Sequence, residues 1–123
     1  MSLATRRLLG IAVLSVTLVV VTSATAAAPS LTLTPSSVLR GHVVLIKGSA
    51  GDCPSGDAAI VISKAFVHTH DFAGLPAVFA RVKPGGSFRV RTRIPATKRR
   101  GRYQVTARCG GGNLGLLKHL TVR

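Results

Sequence analysis

Ser87-Phe88-Arg89-Val90-Arg91-Thr92-Arg93-Ile94, closed by Pro95, is the stretch whose reading decides the fold class of this chain. Its side chains alternate without a break: Phe88, Val90, Thr92 and Ile94 fall on one side, Arg89, Arg91 and Arg93 on the other. A period of two is the geometry of a strand, with one face turned to a core and one to water. The next run repeats the pattern. Tyr103, Val105, Ala107 and Cys109 share a face, and Arg102, Gln104, Thr106 and Arg108 share the opposite one, so Cys109 is expected to point inward.

Working outward, seven short runs of this kind are separated by Gly, Pro and Ser. They are Leu31–Thr34 before Pro35, Val43–Lys47 between Gly41 and Gly48, Ala58–Ser63 after Cys53-Pro54-Ser55-Gly56, Val78–Val82 before Pro84-Gly85-Gly86, Ser87–Ile94, Arg102–Cys109, and Leu116–Val122 after Gly110-Gly111-Gly112. No stretch makes a persuasive helix. The pattern predicts an all-β, seven-stranded antiparallel sandwich. Two runs are less regular. Val44 and Ile46 are the expected inward pair of their strand, but Val43 and Leu45 are apolar too, so that strand is either covered on both faces or exposes a small greasy patch. In the last run Leu114, Leu116, Leu120 and Val122 share a parity with Lys118 while Leu117 does not, which a bulge near Leu117 would resolve.

The amino end has another character. Arg6 and Arg7 precede an apolar run from Leu8 to Val21 and a small-residue stretch that ends at Pro29. That is the plan of a secretory signal peptide. The apolar run of about fourteen residues is short of the roughly 20 a membrane-spanning helix needs. With Ala24-Thr25-Ala26 supplying the small residues, the leader is read as residues 1–26 and the domain as 27–123; an uncleaved anchor is the alternative. A secreted or cell-envelope location follows from either. In that oxidising setting Cys53 and Cys109, the two cysteines of the chain, are expected to pair. Closing a loop of about 57 residues is worth roughly 4 kcal/mol to a core this small.

Charge is the other strong fact of composition. The chain carries 17 Lys and Arg against 3 acidic residues, a formal net charge of +14. Without Arg6 and Arg7 it is about +12, enough to attract polyanions in a salt-dependent way. The richness in arginine also fits a coding bias with no binding role.

Several segments taken together resemble the Ig-like domains of many secreted bacterial proteins. In the opening half these are Leu33-Thr34-Pro35-Ser36-Ser37-Val38, the strand between Gly41 and Gly48, and Cys53-Pro54-Ser55-Gly56. In the closing half they are Gly86-Ser87-Phe88, Ile94-Pro95 and Gly101-Arg102-Tyr103-Gln104-Val105-Thr106-Ala107-Arg108-Cys109. The resemblance covers nearly all of residues 31–122 and implies an immunoglobulin-like sandwich with one disulfide at one pole. The chain departs from the family in its arginine-rich outer faces, in Lys98-Arg99-Arg100-Gly101 before Tyr103, and in an insertion around His68 to Pro76. It has no tryptophan, so the core is not of antibody type. A more distant resemblance is to secreted sandwich apoproteins that carry enediyne chromophores, which also open on a T-P-S-S-type segment but usually hold two disulfides and are acidic. Such folds serve as spacers, adhesive modules and carriers alike, so the resemblance implies little about function.

Three constellations bear on chemistry. His68, His70 and Asp71 are the one arrangement resembling a metal site; in an extended segment the two imidazoles point the same way, and zinc or copper would still need further ligands. A polar loop tip is the plainer reading. Arg89, Arg91 and Arg93, spaced by about 6.5 to 7 Å along one strand face, are followed by Lys98, Arg99, Arg100 and Arg102. Together they offer a basic surface for a phosphate-bearing polymer, or a merely solvated face. A hydrolase is not expected, because no serine sits in a nucleophile elbow and the three aspartates lie in turns or loops. No cofactor is expected either: Gly110 to Gly112 joins two strands and is not a phosphate-binding loop. Aromatic residues are only 4% of the chain, which argues against specific nucleic-acid recognition by base stacking.

The expectation is therefore a secreted, non-enzymatic interaction module that meets an anionic cell-wall or extracellular polymer, or an envelope protein, with no membrane span in the mature chain. A carrier of a small apolar ligand or metal, at the Gly110 to Gly112 pole or the His68 to Asp71 loop, is the alternative.

Overall fold

The computed structural model describes residues 10–20 and 27–123. Residues 10–20, inside the expected leader, are exposed and in neither helix nor strand; the rest of that leader, with the Ala24-Thr25-Ala26 junction, lies outside the described residues. The Ala27 carbonyl accepts from Ser49 Oγ at 3.3 Å.

Among the described residues there are nine strands and no helix. In chain order they are β1 (Ser30–Thr34), β2 (Ser37–Val38), β3 (Val43–Ser49), β4 (Ala58–Ile62), β5 (His70–Phe72), β6 (Leu75–Arg81), β7 (Ser87–Arg93), β8 (Gly101–Cys109) and β9 (Gly112–Val122). They form a three-stranded sheet, β1-β3-β7, and a six-stranded sheet, β2-β9-β8-β4-β6-β5. Each of the seven expected runs has its strand, and the expected number of seven is corrected by two additions. After Pro35 the chain crosses to the other sheet, where Ser37 and Val38 pair with Thr121 and Val122. That pair is parallel, an exception to the all-antiparallel expectation. The insertion around His68 to Pro76 is the second addition, a hairpin in which His70 faces Ala77 and Phe72 faces Leu75. Its two-residue turn has Ala73 at φ 53° and Gly74 at φ 84°, the positive dihedrals that tight hairpins require.

The two sheets close on one core, and the alternation of the sequence decides what enters it. From the small sheet come Leu31 and Leu33, Val44 and Ile46, and Phe88 at 2% exposure; from the large sheet come Val61, Val105, Leu120 and Val122. Phe66, in the β4–β5 connection, and Ile94, just past β7, plug one end of the layer, both fully buried. Thr92 is buried with them and Val90 packs against the same cluster, so the inward face expected for this strand is correct along its length.

β3 lies between β1 and β7 but is open on its outer face, where Val43 is 39% exposed; the greasy patch is the right alternative of the two. The bulge expected near Leu117 lies earlier in β9: Ala107 faces Leu116 while Arg108 faces Asn113, so Leu114 and Gly115 are the extra residues. The register is unbroken from Leu116 to Val122, and Leu117 simply stays on the outward face, exposed.

The disulfide joins Cys53, in the β3–β4 loop, to Cys109, at the end of β8, with the Cα atoms 5.7 Å apart. At the other end of β8 the Tyr103 hydroxyl donates to the Arg99 carbonyl at 2.5 Å, tying the β7–β8 loop to the strand that follows. Tyr103→Phe is expected to lower stability by about 1 kcal/mol, the net worth of one such bond, read as a shift in the urea midpoint at constant slope.

Candidate functional site

Strand direction sorts the loops into two poles. The β3–β4 loop, the β6–β7 turn and the β8–β9 turn lie at the disulfide end, which holds Asp52 and Asp57. The β2–β3, β4–β5 and β7–β8 connections lie at the opposite end with the carboxyl terminus. Backbone bonds draw these connections together: Arg40 N donates to Arg123 O at 3.1 Å and Gly41 N to Ile94 O at 2.8 Å. Lys98 Nζ donates to the Lys64 carbonyl at 2.7 Å, joining the β7–β8 loop to the β4–β5 connection.

Arg40, Lys64, Lys98, Arg99, Arg100 and Arg102 thereby gather at one pole. Two clefts open among them. One, of about 530 Å³, is lined by Lys64, Phe66, His68, Lys98, Arg99 and Tyr103, among others. The second, of about 430 Å³, shares Lys64 and Tyr103 with the first and adds Arg102, Gln104 and Thr106. Lys98, the one of these six whose side chain makes a hydrogen bond among the described residues, bonds to a carbonyl oxygen rather than to a carboxylate, so its position is fixed without cancelling its charge. Among the described residues, one pair of opposite charge type comes within 4.0 Å, His68 with Asp71, and every lysine and arginine is farther than that from a carboxylate.

The arginines expected to share a basic surface are divided between the two sheets. Arg89, Arg91 and Arg93 project from the outer face of the three-stranded sheet, beside Lys47, which stands opposite Arg89. Arg102 projects from the outer face of the six-stranded sheet, opposite Thr121. Arg93, at the end of β7 nearest the basic pole, bonds through its guanidinium to the Gly41 carbonyl and connects the two groups. Lys64, Arg40 and Lys47 carry no signal in the sequence; each stands alone in its segment, and only the topology brings it beside the others.

His68, His70 and Asp71 separate into two roles. His68 Nε2 stands 3.9 Å from Asp71 Oδ2, whereas the His70 ring packs on Phe79 with centroids 5.0 Å apart. The hairpin that carries His70 and Asp71 forms the edge of the large sheet, and on that sheet's outer face Phe72 packs against Ile60, Ile62 and Ala77 while the Arg108 guanidinium sits 4.9 Å from the Phe72 ring centroid. This part of the insertion is packing. Among the described residues, the group of three potential ligands within 4.8 Å of one another is Cys53, Asp57 and Cys109, and its two sulfurs are already bonded to each other.

At the disulfide pole a third cleft of about 450 Å³ is lined by Pro29, Cys53, Pro54, Cys109 and Leu114, among others. No helix among the described residues is long and apolar enough to cross a membrane.

No protein-family model and no curated protein sequence matches the chain. Among solved structures it is similar to part of the Pseudomonas fluorescens alkylpurine DNA glycosylase AlkC, in a structure bound to DNA containing an abasic site analog. The identity is 16% and the TM-score 0.53, over 76% of this chain and 29% of that one. The chain thus spans less than a third of the length of that protein, and the likeness is one of fold.

Proposed function

We propose that the chain is an exported, non-enzymatic module of immunoglobulin-like type whose basic pole binds anionic cell-wall or extracellular polymers. The observation that carries this reading is the convergence of six cations from four segments at one pole, with no carboxylate within 4.0 Å of a lysine or arginine among the described residues. Gathering like charges destabilises a fold unless an outside partner neutralises them. A flexible polymer with closely spaced anions does so over the two clefts and releases its counterions as it binds.

The sheet orders support the immunoglobulin-like assignment. β1-β3-β7 and β2-β9-β8-β4-β6-β5 correspond to an A-B-E sheet facing a G-F-C sheet, which is extended past the C-like strand by a hairpin whose second strand, β6, pairs with it. Tyr103, at the start of the F-like strand with its hydroxyl on a carbonyl four residues back, has the form of a tyrosine corner. The crosslink differs in place, running from the loop after the B-like strand rather than from that strand. Export is supported by the leader pattern of residues 1–26 and by the disulfide.

Titrating labelled linear polyphosphate with the purified domain at a series of salt concentrations tests the binding. The logarithm of the affinity is expected to fall linearly with the logarithm of salt. Replacing Arg99, Arg100 and Arg102 together by alanine is expected to reduce the slope by about 2 to 3. Affinity that ignores salt, or a triple variant that binds as well as the parent, would reject the basic pole as the site.

A further inference from the structure

β7 is an edge strand, since the three-stranded sheet ends there. Which of its backbone groups are free follows from the ladder. Ile94 N donates to His42 O at 2.9 Å, and the register runs from that point to Ser87 without a shift. In an antiparallel pair the residues that exchange hydrogen bonds alternate, so Thr92, Val90 and Phe88 direct their N–H and C=O groups at β3. Arg89, Arg91 and Arg93 direct theirs outward. The Ser87 carbonyl, in the same phase as the arginines, accepts from Lys83 N at 2.8 Å and thus faces away from β3. Past Ser87, no strand among the described residues takes up this row.

The three residues whose backbones are free are therefore the three whose side chains carry charge on the outer face. On that face the neighbouring positions of β3 and β1 are Lys47, Leu45, Val43, Thr32 and Thr34, without an acidic residue. A second copy of β7 laid along this edge would set arginine against arginine, and like charges directly opposite one another disfavour pairing. A strand with carboxylates at every second position meets the opposite situation. Its backbone completes the ladder, its acidic side chains stand opposite Arg89, Arg91 and Arg93, and its other side chains face the rim of the core beside the half-buried Val90.

We propose that the free edge of β7 docks an extended acidic segment of a partner protein, which adds to the three-stranded sheet as a fourth strand. This goes beyond polymer binding and uses different residues, so either reading can fail without the other.

The test is fluorescence anisotropy of a labelled synthetic peptide alternating glutamate with valine, titrated with the purified domain. A second peptide keeps every charge but is N-methylated at alternate amides, which removes the ladder bonds. The first peptide is expected to bind, the methylated one about tenfold or more weaker, and Arg91→Glu to weaken the first by about tenfold. The triple alanine variant at Arg99, Arg100 and Arg102 is expected to bind the first peptide within about twofold of the parent, those residues lying off the edge. Equal binding of both peptides would reduce the effect to bulk charge attraction and overturn the proposal. Absence of binding by the first peptide would overturn it as well and leave the arginines as a guard against edge-to-edge association.

Discussion

Replacing Cys53 and Cys109 together by serine is expected to cost about 4 kcal/mol, the loop-closure entropy that the crosslink removes from the unfolded chain. For a domain near 100 residues this lowers the midpoint of thermal unfolding by about 15 to 25 °C. The effect is large because the bridged residues are 56 positions apart, and because so small a core has little reserve. Scanning calorimetry of the oxidised domain against the double variant measures it. The folded state keeps other ties at this pole, including Ala50 N to Gly86 O at 2.7 Å, so the variant is expected to fold at low temperature. A drop of less than about 5 °C would mean that the unfolded chain is already held compact in this region.

Gly48→Ala is the second large effect, and it acts on the folded state. A Cβ on Gly48 would lie 2.0 Å from the Ser30 carbonyl oxygen and 2.8 Å from its carbon. Both atoms belong to the backbone of β1, so no rotamer change relieves the clash. The strand must leave β3, exposing Leu31 and Leu33, which are buried now. The expected cost is about 3 kcal/mol or more, at the upper end of overpacking, with loss of amide-exchange protection along β1. Gly111→Ala is the control: its Cβ meets nothing within 4 Å, and its effect is expected within about 0.5 kcal/mol. If the two variants are equally stable, the β1–β3 register is not the one described.

How much of the structure is legible in the sequence depends on how local each signal is. β7 and β8 can be read to the residue because alternation is carried by the strand itself: Phe88, Thr92, Val105 and Ala107 are buried, and the arginines between them are not. β2 gives no such signal. Two residues cannot show a period, and their pairing depends on Thr121 and Val122, at the far end of the chain. β5 and the start of β6 look like a mere insertion because Pro76 interrupts the run and Ala73, unlike Asn or Gly, does not announce a residue with φ of 53°. For the candidate site, spacing alone shows that Arg89, Arg91 and Arg93 share a face. It does not show that Arg102 lies on the other sheet, because alternation fixes the parity of a strand and not the layer to which it belongs. Lys64 reaches the site only through the turn of the chain that sets its carbonyl under Lys98.

The place of β9 bears on how the molecule folds. The eleven-residue strand sits between β2 and β8, and Arg123 N donates back to Val38 O at 2.8 Å. Ser37 and Val38 thus find their neighbours, Thr121 and Val122, only across most of the domain's length. Pairing between such distant segments is slow, so the domain is expected to fold in about milliseconds to seconds. Until β9 docks, the rims of β2 and β8 stay bare.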